Sequence, residues 1–237
     1  TALTLAKEGC DVAISGRTQA TLENAAKTLR ETGRRVSATQ VDLLEAGGVE
    51  RFVSEAVSAL GRLDVVVANV GGTFGGNFLD TPASDWMKTF EVNLVQAVRV
   101  IQAAVPHLSK SDAPSVVIVA SISGSRPGPR AQYGVAKAGE IQLASALSRE
   151  LAPQRIRVNT VSPGSILWEG GSWHKRASTM PDVIDDFVAR EFPWGRMGTL
   201  DEIANVITFV ASPRASWVNG ANVVVDGAQG QPTIKLP

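Results

Sequence analysis

Short apolar runs alternate with longer stretches of helical period along the whole chain. Val12–Ser15, Arg35–Gln40, Asp64–Ala68, Ser115–Ala120, Arg155–Thr160 and Ala221–Val225 read as strands. The runs VVVA and SVVIVA are apolar without alternation, as expected of parallel strands covered on both faces. Between the strands the period changes. Val49, Phe52, Val53, Ala56, Val57 and Leu60 share one helix face, and Leu22, Ala25, Ala26 and Leu29 do the same on a shorter helix. Thr81-Pro82 reads as an N-cap followed by proline at the first helical position, opening a helix to about His107. A further helical run covers Gln132–Leu151, and Thr199-x-x-Glu202 forms a capping box ahead of Ile203, Ala204, Val206, Ile207 and Val210.

Strands alternating with helices of this length imply βαβ units with right-handed crossovers, hence an α/β Rossmann-like doubly wound parallel sheet in a single domain over residues 1–237. The irregular stretch from Leu167 to about Phe192 reads as a partly helical insertion, a candidate lid. The first residues stand apart. Ala2, Leu5 and Ala6 fall at helical spacing and the pattern stops at Gly9, so the sequence opens inside a helix with no strand or delivering loop ahead of it.

Composition narrows the function class. Lys+Arg and Asp+Glu both total 23 and are scattered, which gives no footprint for nucleic acid or an acidic lipid surface. Cys10 is the one cysteine, and no Asn-x-Ser/Thr acceptor occurs, so a reducing cytoplasm is the expected compartment. No apolar run approaches the ~20 residues that span a bilayer, and the opening residues lack a signal-peptide pattern. His107, His174 and Cys10 make no metal-ligand spacing, and a Gly-x-Ser-x-Gly elbow is missing, which disfavours hydrolase chemistry.

In open parallel sheets ligands bind beyond the carboxyl ends of the strands. Those ends carry Gly16-Arg17-Thr18, Asp42, Asn69-Val70-Gly71-Gly72, Ser121-Ile122-Ser123-Gly124 and Ser162-Pro163-Gly164. Such residues serve tight turns, and they also let an extended ligand such as a dinucleotide approach the backbone. Tyr133 and Lys137 then fall at i, i+4, on one helix face. An ammonium group nearby favours phenolate, which would lower the tyrosine pKa from near 10 and fit Tyr133 to proton transfer. Alone, the pair is weak evidence, since most such pairs are a half-buried tyrosine beside a solvated lysine. Ser121, twelve residues earlier at a strand tip, adds a hydroxyl for a substrate carbonyl oxygen.

These elements, with Asn93 in FEVNL, the RVNTVSPG run and the C-terminal NGANVVVDG, resemble the short-chain dehydrogenase/reductases across almost the whole chain, closest in look to 3-oxoacyl-carrier-protein reductases. The resemblance implies Tyr133 as general acid/base, Lys137 lowering its pKa and holding the nicotinamide ribose, Ser121 orienting the carbonyl, and Asn93 holding a relay water. It further implies cofactor contacts from Asn69 and Gly71 on the adenosine side, from Asp42 at the adenine with Leu43 beside it, and from Pro163, Gly164 and Ile166 around the nicotinamide. The 167–192 insertion would be the substrate lid. One departure is that the serine-to-tyrosine stretch is a residue shorter than is usual in the family.

The end of the first run reads Ser15-Gly16-Arg17, without the carboxylate that would accept from a ribose 2′-hydroxyl and with an arginine able to pair with a 2′-phosphate, so NADP(H) is expected over NAD(H). The expected reaction is reduction of a small-molecule ketone or oxidation of the alcohol. Nucleotide-sugar epimerases or dehydratases need a larger substrate domain, and the alternative is a cofactor-incompetent relative acting as a subunit or binding protein. The resemblance implies a homotetramer or homodimer formed through Thr81–His107 and Gln132–Leu151. Trp168, Trp173, Met180, Phe187 and Phe192 suggest an apolar or bulky ligand. In the family order 3-2-1-4-5-6-7 the first strand and its glycine loop precede the helix that Thr1–Glu8 resemble. The sequence is therefore expected to be part of a polypeptide longer by roughly 15–25 residues, the size of a strand and its glycine turn.

Overall fold

The apolar runs become parallel strands in a computed structural model that describes residues 1–230; residues 231–237, the end of the expected domain, lie outside the described residues. The chain runs through helix α1 (Ala2–Lys7), strand β1 (Val12–Gly16), α2 (Gln19–Arg30), β2 (Val36–Gln40), α3 (Gly48–Leu60) and β3 (Val65–Ala68). It continues through α4 (Ala83–Phe90), a π turn (Glu91–Val95), α5 (Gln96–Leu108), β4 (Ser115–Val119) and α6 (Ala131–Glu150). The last part comprises β5 (Arg157–Pro163), α7 (Ser172–Thr179), α8 (Pro181–Glu191), α9 (Leu200–Ala211) and β6 (Asn222–Val225).

All pairings are parallel, in two sheets. β1 pairs with β2, from Val12 opposite Val36 to Gly16 opposite Gln40. The second sheet has the order β3-β4-β5-β6. Among the described residues no strand pairs with the other edges of β1 and β3, so the Rossmann-like array is divided at the position where the family order expects its first strand.

Helices cover both faces. α3, α5 and α6 pack on one side, around Val49, Val53, Ile101, Ala104, Leu108, Ala144 and the strand residues Val116, Ile118 and Val158. On the other side α9 places Ile203, Ile207 and Val210 against Val117 and Val161, while Ala6 of α1 and Leu29 of α2 meet Val12. Val116, Val117 and Ile118 are wholly buried, which explains the unbroken apolar run; each such side chain stabilises the fold by about 1.5–3 kcal/mol relative to exposure.

Four expectations need correction. The strand expected at Arg155–Thr160 begins at Arg157 and runs to Pro163, because Arg155 takes a left-handed φ of 60° in the turn that follows Pro153. Ala25 is exposed while Leu22, Ala26 and Leu29 face inward. Thr81 does not cap a helix: Pro82 holds the N-cap position of α4, and the Thr81 hydroxyl donates to the Asn77 carbonyl (2.7 Å) and accepts from Gly76 N–H (3.0 Å), closing the loop before it. The helix expected to run unbroken to His107 is interrupted by the π turn at Glu91–Val95, a feature often found at functional sites. The capping box at Thr199 forms, with the Thr199 hydroxyl accepting from Glu202 N–H (3.3 Å) and the Glu202 carboxylate accepting from Thr199 N–H (2.8 Å).

Candidate active site

The carboxyl ends of the parallel strands gather the sequence-derived residues along one edge. Ser121 lies two residues past the end of β4, and its hydroxyl accepts from Ser123 N–H (3.1 Å), starting the short turn Ile122–Gly124. That turn lies against the first turns of α6: a Cβ on Gly124 would stand 2.7 Å from the Lys137 carbonyl carbon, and one on Gly134 2.9 Å from the Ser123 carbonyl oxygen. Glycine at both positions lets the Ser121 turn and the Tyr133 helix touch.

Tyr133 lies beside Ser121, and the Lys137 ammonium stands 5.7 Å from the Tyr133 ring centroid. The expected lowering of the Tyr133 pKa by Lys137 is not what the site produces. Burial pushes the phenol above its ordinary value of 10.0, the Ser121 hydroxyl partly offsets this, and the Glu140 carboxylate adds to the rise. The reason is visible at Lys137. Its ammonium donates to both carboxylate oxygens of Glu140 (3.0 and 2.9 Å) and to the Val119 carbonyl (3.0 Å), so its three donors are engaged. Both residues are buried, Lys137 at 3% exposure and Glu140 at 1%. Burial holds the Glu140 carboxyl up at about 7 against the pull of Lys137.

Asn93 lies in the π turn, fully buried. Its side-chain amide donates to the carbonyls of Gly72 (2.7 Å) and Thr89 (2.6 Å), and its oxygen accepts from Gly72 N–H (3.3 Å). A Cβ on Gly71 would come within 2.7 Å of Asn93 Oδ1 and 3.3 Å of Lys137 Nζ. Gly71, Asn93 and Lys137 are thus in one packed group.

The other cofactor candidates are spread along the edge. Arg17, at the end of β1, is largely exposed and its guanidinium stands 3.9 Å from the Asp42 carboxylate, which also accepts from Leu44 N–H (3.0 Å). Asn69 is exposed, whereas Leu43 is buried in the first core cluster. Pro163 ends β5 opposite Val225, and Gly164 packs so closely that a Cβ would meet Asp226 Cβ and Gln229 Oε1, each at 2.8 Å. The Ile166 side chain packs into the core with Ile203 and Ile207, and its strand-like bridge is to Gly198.

The 167–192 insertion folds into α7 and α8. Trp173 stacks on Phe187 (centroids 4.9 Å apart), Phe187 meets Phe192 edge-on (5.7 Å), and Ile184 and Met197 complete a small core. Three of the five apolar side chains expected to face a ligand therefore hold the insertion together, while Trp168 and Met180 remain exposed. His174 is exposed, with Nδ1 accepting from Gly170 N–H (3.4 Å).

Sequence reasoning missed Glu140, although Lys137-x-x-Glu140 is an i, i+3 pair that could have been found. It also missed the brace behind Gly164. Arg126 pairs with Asp226 (2.7 Å) and donates to the Gln229 carbonyl, while Gln229 Oε1 accepts from Ser165 N–H (2.8 Å), tying the segment after Ser121 to the turn after β5. Those contacts join residues between 64 and 103 positions apart and leave no local signature.

The fold recurs among known proteins. The chain matches the family model described as Enoyl-(Acyl carrier protein) reductase over residues 1–228. It is 36% identical to isoepoxydon dehydrogenase patN of Aspergillus clavatus over 205 residues, 85% of this chain and 77% of that protein. L-sorbose reductase from Gluconobacter frateurii, solved with NADPH and L-sorbose, superposes with a TM-score of 0.92 at 27% identity, covering 98% of this chain and 91% of that one. A 7 alpha-hydroxysteroid dehydrogenase complexed with NADH and 7-oxo glycochenodeoxycholic acid gives 0.88 at 26% identity, with coverage of 98% and 89%.

Proposed function

The chain belongs to the short-chain dehydrogenase/reductase family, an oxidoreductase family, and on that premise we propose that it reduces a ketone with NADPH, or oxidises the matching secondary alcohol, using Tyr133 as general acid/base. The observation that carries this reading is the convergence of Tyr133, Ser121 and Lys137, with Lys137 Nζ 5.7 Å from the Tyr133 ring centroid. The residues along the sheet edge suit a nicotinamide dinucleotide: close-packed glycines at 71 and 164, exposed Asn69, and after β1 an exposed Arg17 whose guanidinium stands 3.9 Å from the Asp42 carboxylate.

When held along this edge, a reduced nicotinamide would supply the hydride for the carbonyl carbon. The Tyr133 hydroxyl gives its proton to the carbonyl oxygen, and the Ser121 hydroxyl donates a hydrogen bond to that same oxygen as charge develops there. A phenol is protonated at neutral pH, and burial raises Tyr133 further above its ordinary 10.0, so the proton is in place before each reduction. Asn93 fixes the Gly71-Gly72 turn beside Lys137, and α7–α8 form a lid over the substrate end.

Arg17 supports the preference for NADP(H), since its exposed guanidinium can pair with a 2′-phosphate. An apolar groove between α5 and α6, lined by Val98, Ile101, Val105, Leu143 and Leu147, supports association of these helices with those of a second copy. Sequential titration of the protein with NADPH and NADH, followed by tryptophan fluorescence from its five tryptophans, tests the cofactor reading; tighter binding of NADH would overturn it.

A further inference from the structure

Lys137 and Glu140 form an ion pair inside the protein rather than on it. Their side chains are 4% and 1% exposed, and the carboxylate takes two of the ammonium's three hydrogen bonds while the Val119 carbonyl takes the third. Bringing two charges out of water costs several kcal/mol per ion and is recovered only when the pair is well bonded, so such a pair is often no more stable than apolar side chains in its place. Its presence one helical turn from Tyr133 therefore calls for a role other than stability.

The surroundings leave the pair electrically alone with Tyr133. The elements packed on α6 carry Glu91, Asp85, Lys88 and Arg157, and each is engaged elsewhere. Glu91 pairs with Arg99 (2.6 Å), Asp85 with Lys88 (3.0 Å), and Arg157 donates to the carbonyls of Val210 and Ala211. No other ionisable group among the described residues of these elements is placed to offset Glu140. Its charge reaches the Tyr133 hydroxyl.

We propose that Glu140 is a positioning residue that acts through Lys137: it clamps the ammonium between its two carboxylate oxygens and the Val119 carbonyl, and so offsets at Tyr133 the charge that Lys137 would otherwise present there. Removing the carboxylate therefore moves the alkaline pH at which Tyr133 gives up its proton, and with it the alkaline limb of the reaction. This consequence rests on Tyr133 as the proton donor of the proposed reaction; the electrostatic coupling itself does not.

The sequence contains a single tyrosine, so ultraviolet difference absorbance of tyrosinate titrates Tyr133 without assignment and without substrate. In the full chain, Glu140→Gln is expected to lower the Tyr133 midpoint by about 1 pH unit, Lys137→Met to raise it by a similar amount, and the double variant to return it toward the parent value. Far-ultraviolet circular dichroism at each pH keeps the reading within the folded range. An unmoved midpoint in folded Glu140→Gln overturns the proposal. Should that variant not fold, Lys137→Met is compared with Lys137→Met/Glu140→Leu, which replaces the pair by apolar side chains: a lower midpoint in the double variant supports the coupling, and equal midpoints overturn it. A shifted midpoint in a protein that turns over no carbonyl would leave the coupling standing and remove the proposed reaction.

Discussion

The side chain of Asn93 grips Gly72 at both of its backbone groups, donating to the carbonyl at 2.7 Å and accepting from the N–H at 3.3 Å. This joins the π turn between α4 and α5 to the loop after β3. Asn93→Leu leaves the two Gly72 groups and the Thr89 carbonyl without this partner, at about 1–3 kcal/mol for each group left unsatisfied. A lower melting temperature together with weakened cofactor binding is expected, measured by calorimetry and fluorescence titration. Unchanged binding would show that the Gly72 loop takes no part in the cofactor site.

Gly71→Ala is expected to damage the site more than the fold. Its Cβ would stand 2.7 Å from Asn93 Oδ1, closer than such atoms tolerate, and 3.3 Å from Lys137 Nζ, a tight contact, and both neighbours are buried. Steady-state kinetics should show turnover falling while the melting temperature moves little by comparison. Full turnover in this variant would separate the Gly71 turn from the chemistry.

Arg17→Asp is expected to move cofactor preference toward NAD(H). The substitution removes a cation and places a carboxylate near the end of β1, where it repels a 2′-phosphate and accepts from a 2′-hydroxyl. Loss of a charge-assisted hydrogen bond corresponds to about 10–100-fold in relative KM. An unchanged ratio of NADPH to NADH efficiency would make Arg17 a bystander whose partner is Asp42 alone.

The pH dependence of the reaction follows from Tyr133. Its phenol is held above the ordinary 10.0, chiefly by burial, so the protonated form required for reduction persists throughout the neutral range. Reduction should be flat across neutral pH and decline only in alkali, while oxidation, which needs the phenolate, should climb over the whole accessible alkaline range. Initial rates in both directions across pH check this. A reduction rate that already declines below pH 8 would contradict it.

Acid sensitivity should report the start of α9. Arg196 and Thr199 donate to Glu202 and pull its carboxyl from 4.5 down to about 2. A folded value below the unfolded one gives stability that is complete above about 4.5 and lost as pH falls toward 2. The melting-temperature gap between the parent protein and Glu202→Gln should therefore narrow from pH 6 to pH 3. A gap of constant size would show that the pairing contributes nothing.

Much of this was legible from the sequence because the signals are local. Unbroken runs such as SVVIVA announce buried parallel strands, and the Tyr133–Lys137 spacing puts both residues on one helix face whatever surrounds them. What escaped depends on contacts between distant segments. Thr81 looks like a cap beside Pro82, but its hydroxyl serves the loop behind it. The apolar period through FEVNL fits a regular helix, and only packing of Asn93 on Gly72 accompanies the wider turn there. Glu140 reads as one polar residue on a helix that buries several, and its bond to Lys137 inside the protein is visible only in three dimensions. The aromatics of the 167–192 insertion show the same limit: apolar character marks Trp173, Phe187 and Phe192, yet their stacking partners are each other.

The central claim is that Tyr133 transfers the proton in an NADPH-dependent carbonyl reduction, and the most direct measurement is consumption of NADPH absorbance with a panel of ketones and β-keto thioesters, run for the parent chain and for Tyr133→Phe. The parent is predicted to turn over at least one carbonyl of the panel, and Tyr133→Phe to lose about 10²–10⁴-fold in rate while binding NADPH within a few-fold of the parent. Turnover retained in Tyr133→Phe, or a folded parent chain that binds no NADPH, would contradict the account.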